Sequence, residues 1–287
     1  MKKAALIFIS IAFALTLNAK VPEKWNPSQI EKVQKLNDAS YCFAAMGDSH
    51  GVNETFKGLF KKIDADPQIK FAVDNGDIVH NGKESEYREV LKAVRKFKKP
   101  VIMGIGNHDV QGGGRKYYEK YIGPAYFHFD IGDASFFILD MSAADGASFG
   151  DDQRRWLEAQ MKDAQNKKYR IVFFHIPLFE ARIFPFDPQK YPARVTVAKV
   201  MKSYGLKNRK LAFELMELFE KYNVSHIFCG HNHASYSGTW GGVPFTIASS
   251  AGGKLKGRDP KNEFYHYVKA CLKDGKVDMD VIRLENN

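Results

Sequence analysis

The chain predicts an α/β fold with a largely parallel sheet and a second sheet of more antiparallel character. Three features lead there. Short apolar runs end repeatedly in Gly-Asp, Gly-Asn or His, stretches with helical spacing separate them, and two strand pairs are joined by tight Gly-Asp and Asp-Gly turns. Strand and helix alternation of this kind places ligands beyond the carboxyl ends of the strands.

The elements follow in order. Tyr41 to Met46 is a buried strand that stops at Gly47-Asp48, and Asn53 to Asp64 is a helix with Asn53 as its N-cap. Ile69 to Val73 is a strand ending before Gly76-Asp77, Glu84 to Phe97 a helix, and Val101 to Ile105 a strand leading into Gly106-Asn107. Tyr126 to Ile131 and Ser135 to Met141 form a hairpin through Gly132-Asp133. Asp151 to Ala164, with Asp151 as N-cap, is helical, and Ile171 to Phe174 runs into His175. Arg209 to Tyr222 carries Leu211, Leu215, Leu218 and Phe219 at helical spacing, and Val224 to Phe228 runs into Gly230-His231. A second hairpin, Tyr265 to Leu272 with Lys276 to Leu284, turns at Asp274-Gly275; with the first hairpin and Val243 to Ala248 it suggests the second sheet.

Residues 1–19 read as an export signal: Lys2 and Lys3 precede an apolar stretch from Leu6 to Leu17, and Ala19 can end it. The stretch is short for a membrane span, so a periplasmic or secreted chain is expected, with an uncleaved N-terminal anchor as the alternative. Residues 20–287 then form one domain, and no stable membrane span remains. The formal charge of +10 favours acidic ligands such as phosphate esters, although a basic chain can also be merely soluble. Three cysteines, Cys42, Cys229 and Cys271, exclude a disulfide framework and leave room for one bridge. Residues 179–210 are irregular, rich in proline and basic side chains; they form either a basic lid near the site or a solvated excursion.

Chemistry concentrates in five strings: Asp48-Ser49-His50, Gly76-Asp77, Gly106-Asn107-His108-Asp109, His175 and Gly230-His231-Asn232-His233. Mixed carboxylate, amide and imidazole donors suit Mn, Fe or Zn better than Ca or Mg alone. Asp77 has two oxygens able to bridge two cations, which together would stabilise attacking and leaving oxygens. Gly47, Gly76, Gly106 and Gly230 precede donors and allow a sharp turn or a close approach.

In these strings the chain resembles the calcineurin-like metallophosphoesterase family, whose pattern runs Asp-x-His, Gly-Asp, Gly-Asn-His-Asp/Glu, His, Gly-His-x-His. The resemblance implies a four-layer αββα sandwich, two mixed β-sheets packed face to face with flanking helices. It implies that Asp48, His50, Asp77 and His233 hold one divalent or mixed-valence transition metal ion, and that Asp77, Asn107, His175 and His231 hold a second. It further implies a hydroxide at the dinuclear centre as nucleophile, His108 as the acid that protonates the leaving alkoxide, and Asp109 as the residue orienting its ring. An imidazole beside a carboxylate suits that donor role near neutral pH.

Other residues near the strings have weaker claims. His80, three residues after Asp77, reads as a substrate contact or a support to a metal ligand, whereas His128, His226 and His266 read as packing or surface residues. Arg115, after Gln111-Gly112-Gly113-Gly114, could reach a phosphate, but a flexible rim loop is the plainer expectation. Purple acid phosphatases carry Tyr where this chain has His80, and lack the His of the first motif. Protein Ser/Thr phosphatases carry a phosphate-binding Arg where this chain has Asn81, which leaves Asn81 as a candidate substrate contact. The residues after His233 read as sheet strands, so the extra C-terminal domain of periplasmic 5′-nucleotidases is not expected.

The expected function is hydrolysis of small phosphomonoesters or phosphodiesters. Two alternatives remain. A nuclease would use the positive charge to track nucleic-acid phosphates and lose affinity steeply with salt, but no aromatic-and-basic recognition motif supports it. A non-catalytic metal-binding surface protein would need a broken motif, and all are intact.

Overall fold

The computed structural model describes residues 23–36, 40–181, 205–257 and 259–285. The expected signal segment and the greater part of the expected lid, 182–204, lie outside the described residues. No described helix is long and apolar enough to cross a membrane.

Two sheets face each other. The first has the order β11-β10-β1-β2-β3 and is formed by β1 (Tyr41–Met46), β2 (Ile69–Asp74), β3 (Val101–Met103), β10 (His266–Lys273) and β11 (Lys276–Arg283). Strands β1, β2 and β3 are mutually parallel, and β10 runs antiparallel to β1. The second has the order β4-β5-β6-β7-β9-β8, from β4 (Phe127–Ile131), β5 (Ala134–Ile138), β6 (Tyr169–Phe174), β7 (His226–Cys229), β8 (Ser235–Trp240) and β9 (Val243–Ala248). Here β5, β6, β7 and β9 are parallel, with antiparallel edges.

Aromatic side chains fill the space between the sheets. Phe43 of β1, fully buried, stacks on Phe71 at 5.5 Å and meets Phe136, Phe173 and Phe228 of the facing sheet edge-on. Truncating such a ring to Ala costs about 3–5 kcal/mol. Helices α2 (Glu54–Ala65), α3 (Glu84–Val94) and α4 (Arg115–Tyr121) pack on the outer face of the first sheet. Helix α5 (Asp151–Asp163) and α6 (Arg209–Lys221) cover the second, completing four layers.

Local chemistry sets the helix ends. Asn53 caps α2 by accepting the Phe56 N–H at 2.9 Å, and Asn208 caps α6 through Leu211 N–H. Helix α5 departs from expectation: Gly150 is its N-cap, and Asp151 and Asp152 lie inside the first turn, where their charge favours the helix dipole. Helix α1 (Trp25–Val33) was not legible in the sequence. It shields the free edge of β3, because the Asn26 amide donates to Met103 O at 2.8 Å and accepts Met103 N–H at 2.9 Å.

The two hairpins do not share a sheet. The β4-β5 hairpin edges the second sheet, whereas β10-β11 extends the first, so the donor-bearing parallel strands divide three and two between sheets. Cys42 and Cys271, directly opposite on β1 and β10, form the one bridge the cysteine count allowed, and Cys229 is a buried thiol.

Candidate metal centre

The carboxyl ends of β1, β2, β3, β6 and β7 converge, and backbone hydrogen bonds tie the loops that leave them. Asp48 N–H donates to Gly76 O, His50 N–H to Asp77 O, and Gly230 N–H to His175 O, each at 2.9 Å. His231 N–H donates to the Asp48 carboxylate at 2.8 Å, linking the two sheets.

Two donor clusters gather the seven candidates, beside a third grouping of His50, His80 and His108. In the first, His233 Nε2 lies 3.3 Å from Asp48 Oδ1 and 3.3 Å from His50 Nε2. In the second, His175 Nε2 is 3.2 Å from Asp77 Oδ2 and 3.1 Å from Asn107 Oδ1, and His231 completes a group with Asp77 and His175. Asp77 joins them, since its Oδ2 also lies 3.7 Å from His50 Nε2. All seven metal-ligand candidates from the sequence are therefore brought together.

These residues fit cations. Among the described residues no hydrogen bond reaches the buried Asp48 Oδ1, a costly state for a carboxylate oxygen unless a cation satisfies it. Burial pushes the imidazoles of His50 and His231 down, to about 4 and about 3, leaving neutral rings with lone pairs to offer. Burial alone would lower His175 too, but the Asp77 and Asp48 carboxylates override it and push it up to about 9, so the pair attracts positive charge.

Five of the seven donors pay a backbone cost. Asp48, His50, Asp77, His231 and His233 have φ of 58°, 50°, 57°, 74° and 54°, a left-handed region costing about 1–3 kcal/mol for non-glycine residues. The preceding glycines serve mainly close approach. A Cβ on Gly106 would stand 2.2 Å from Asp77 Oδ1, and one on Gly230 would stand 2.8 Å from His175 Nδ1.

His108 is part-exposed beside the clusters, its Nε2 4.0 Å from Asp77 Oδ2 and its ring edge-on to His50 at 4.4 Å. The expected partner of its ring requires correction. His108 Nδ1 donates to the His80 carbonyl at 2.7 Å. Asp109 is buried and accepts three backbone N–H groups instead, from Asp77 at 2.8 Å, Gly106 at 2.7 Å and Val79 at 3.1 Å. It braces the two loops that carry Asp77, Asn107 and His108.

Two weaker candidates also move. Asn81 is taken up at the start of α3, its amide donating to Glu86 Oε1 and its N–H to Glu86 Oε2, both at 3.0 Å. The Arg115 guanidinium donates to the buried Asp140 carboxylate at 2.6 Å and to Ser142 at 3.3 Å, so it holds protein groups rather than reaching the donors. The loop before it is a tight turn into α4: a Cβ on Gly114 would meet Asp109 O at 2.3 Å. His80 does reach the centre, with Nδ1 3.3 Å from His50 Nδ1. His226, bonded to Thr246, and His266 are buried packing residues, as expected.

Three supporting residues escaped the sequence reading. The Asn75 carbonyl accepts from His175 Nδ1 at 3.1 Å while its amide donates to Cys229 O. Ser249 Oγ accepts His233 N–H at 2.5 Å, and the Lys254 carbonyl accepts from His233 Nδ1 at 2.8 Å. Ser249 and Lys254 follow β9, a parallel strand of the second sheet, so the rule that ligands lie beyond carboxyl ends could have found them.

Carboxylate and imidazole donors on loops at one end of a two-sheet sandwich define a metallohydrolase type of centre. A family model described as calcineurin-like phosphoesterase matches residues 43–235, and the chain belongs to that family. The chain is similar to the serine/threonine-protein phosphatase CPPED1 of Mus musculus, 30% identical over 211 residues that cover 67% of this chain and 62% of that protein. It is also similar to the glycerophosphodiester phosphodiesterase GpdQ of Enterobacter lignolyticus, 27% identical over 188 residues, covering 61% of this chain and 58% of that one. It thus spans about three fifths of the length of these curated relatives. Among solved structures, purple acid phosphatase PPD1 from yellow lupin seeds matches with a TM-score of 0.63 at 14% identity, covering 86% of this chain and 52% of that one, a likeness of fold. The first relative qualifies one expectation: Asn81 in place of Arg does not separate this chain from every protein named a serine/threonine phosphatase.

Proposed function

We propose that the chain is an exported, metal-dependent phosphoesterase that hydrolyses small phosphate monoesters or diesters at a two-cation centre. One observation carries this: Asp77 joins the Asp48–His50–His233 and Asp77–His175–His231 clusters directly beside His108. Asp48, His50, Asp77 and His233 would hold one cation, and Asp77, Asn107, His175 and His231 the other. Bound there, the cations supply Lewis-acid charge to the phosphoryl group and acidify the attacking water.

The chain's own residues do the rest. Nδ1–H of His108 is held by the His80 carbonyl, so a protonated ring presents its Nε2–H to the departing alkoxide. No protein nucleophile is required. The apolar sandwich behind the loops fixes the donors, and Asp109 keeps the two central loops in register.

The Cys42–Cys271 bridge supports export, because such bonds persist in oxidising compartments. Absence of the chain from periplasmic and extracellular fractions would contradict that part. The function is tested by a panel in which the chain without residues 1–19, reconstituted with Mn, Fe or Zn, meets aryl phosphomonoesters, aryl diesters, nucleotides, cyclic nucleotides and phospholipids. Metal-dependent turnover of at least one small ester is expected. Failure on all of them refutes the reading.

A further inference from the structure

His80 stands outside both donor sets yet touches the centre twice. Its ring Nδ1 lies 3.3 Å from Nδ1 of His50, and its carbonyl accepts from Nδ1 of His108 at 2.7 Å. The His80 and His108 rings stack with centroids 5.4 Å apart. The backbone explains this closeness. His50 N–H donates to Asp77 O and Gly51 N–H to Ile78 O, each at 2.9 Å, so the loop after β1 lies along the loop that runs to His80.

Counting protons fixes the roles. His50 directs Nε2 toward Asp77, 3.7 Å away, and His233, 3.3 Å away. A neutral imidazole with its lone pair on that side carries its proton on Nδ1. That Nδ1–H meets His80 Nδ1, which must accept, so the proton of His80 resides on its other nitrogen. His108 is set by the same residue through the main chain: Nδ1–H is given to the His80 carbonyl, and Nε2 is left facing Asp77.

We propose that His80 is a positioning residue whose ring fixes the tautomer and tilt of His50 and whose carbonyl fixes those of His108. One residue thereby sets a metal ligand and the proton donor relative to each other. The inference rests on the proposed roles of His50 and His108. Ligating histidines commonly spend their second nitrogen on a carboxylate, carbonyl or water, and losing that partner typically weakens metal binding by about 10–100-fold. Here a second imidazole takes the place, and it is exposed enough for substitution without disturbing the core.

The test uses the full chain with His80→Ala, His80→Asn and His80→Gln, and reads metal affinity by chelator competition without substrate. The Asn side chain can place its oxygen near the former Nδ1, whereas Gln reaches toward Nε2. His80→Ala should weaken one cation by about 10–100-fold and leave the other unchanged, His80→Asn should recover most of the loss, and His80→Gln should not. Because the carbonyl survives in every variant, His80→Ala at saturating metal should keep the wild-type dependence on leaving-group basicity. Wild-type affinity in His80→Ala, or no recovery in His80→Asn, overturns the proposal. These affinities need no turnover, so absence of hydrolysis on every ester would remove the functional reading alone.

Discussion

Replacing Asp109 by Asn separates two roles that geometry makes distinct. The Asp109 carboxylate accepts N–H groups from Asp77 and Gly106 on one oxygen and from Val79 on the other. The amide of Asn keeps one acceptor, which can retain the first two, and turns an NH2 toward the Val79 N–H. Burial, with the Asp77 carboxylate beside it, pushes the Asp109 carboxyl up to about 8, so the lost bond is valued as an ordinary one of about 0.5–1.5 kcal/mol, and an opposed buried donor costs about 1–3 kcal/mol. A loss of about 3 kcal/mol follows, which for a chain of this size lowers Tm by about 6–12 °C. The assay is thermal unfolding of the chelator-treated protein, followed by metal affinity, which should also fall because the braced loops carry Asp77 and Asn107. If Tm and metal affinity are unchanged while turnover fails only for esters with basic leaving groups, Asp109 acts through His108 and the brace is wrong.

His108→Ala should behave in the opposite way, leaving Tm nearly unchanged and reducing kcat about 10²–10⁴-fold for esters with poor leaving groups while sparing those with acidic ones; an equal loss on both kinds would contradict the acid role. Gly106→Ala would place a Cβ 2.2 Å from Asp77 Oδ1, so its metal content should fall well below wild type by elemental analysis. Full occupancy would show that the loop relaxes freely. Burial holds His226 neutral in the fold, at about 3, below its unfolded value of about 6.5. The unfolded chain therefore binds the extra proton below pH 6.5, and this stabilisation, present above that pH, is lost as pH falls toward 3. Tm of His226→Gln should decline less between pH 7 and 4 than that of wild type, and parallel declines would contradict the assignment.

The fold and the donors were legible to different depths. Apolar runs such as Tyr41–Met46 announced their strands because both faces are buried, and Asn53 announced α2 because its side chain can cap only there. The sequence could not assign strands to sheets, since partners of β10 and β4 are chosen by long-range packing rather than by turns. The seven candidate donors that the loops bring together were readable from residue type and order. What they touch was not: Asp109 beside His108 suggested a ring contact, but the loop through the left-handed Asp77 presents the Asp77 and Val79 amides to that carboxylate, and Gly106 of its own loop adds a third. Arg115 and Asn81 were likewise absorbed by acids distant in sequence or one helical turn on, Asp140 and Glu86. Helix α1 lacked any periodic apolar face, and its place depends on Trp25 and Asn26 binding β3.

The central claim, that Asp77 holds two cations together for ester hydrolysis, is tested most directly by metal stoichiometry measured on the same samples as turnover. Two equivalents per active wild-type chain are expected, with both cations weakened and turnover lost in Asp77→Asn. Active protein without bound metal, or Asp77→Asn retaining both equivalents and full turnover, would contradict it.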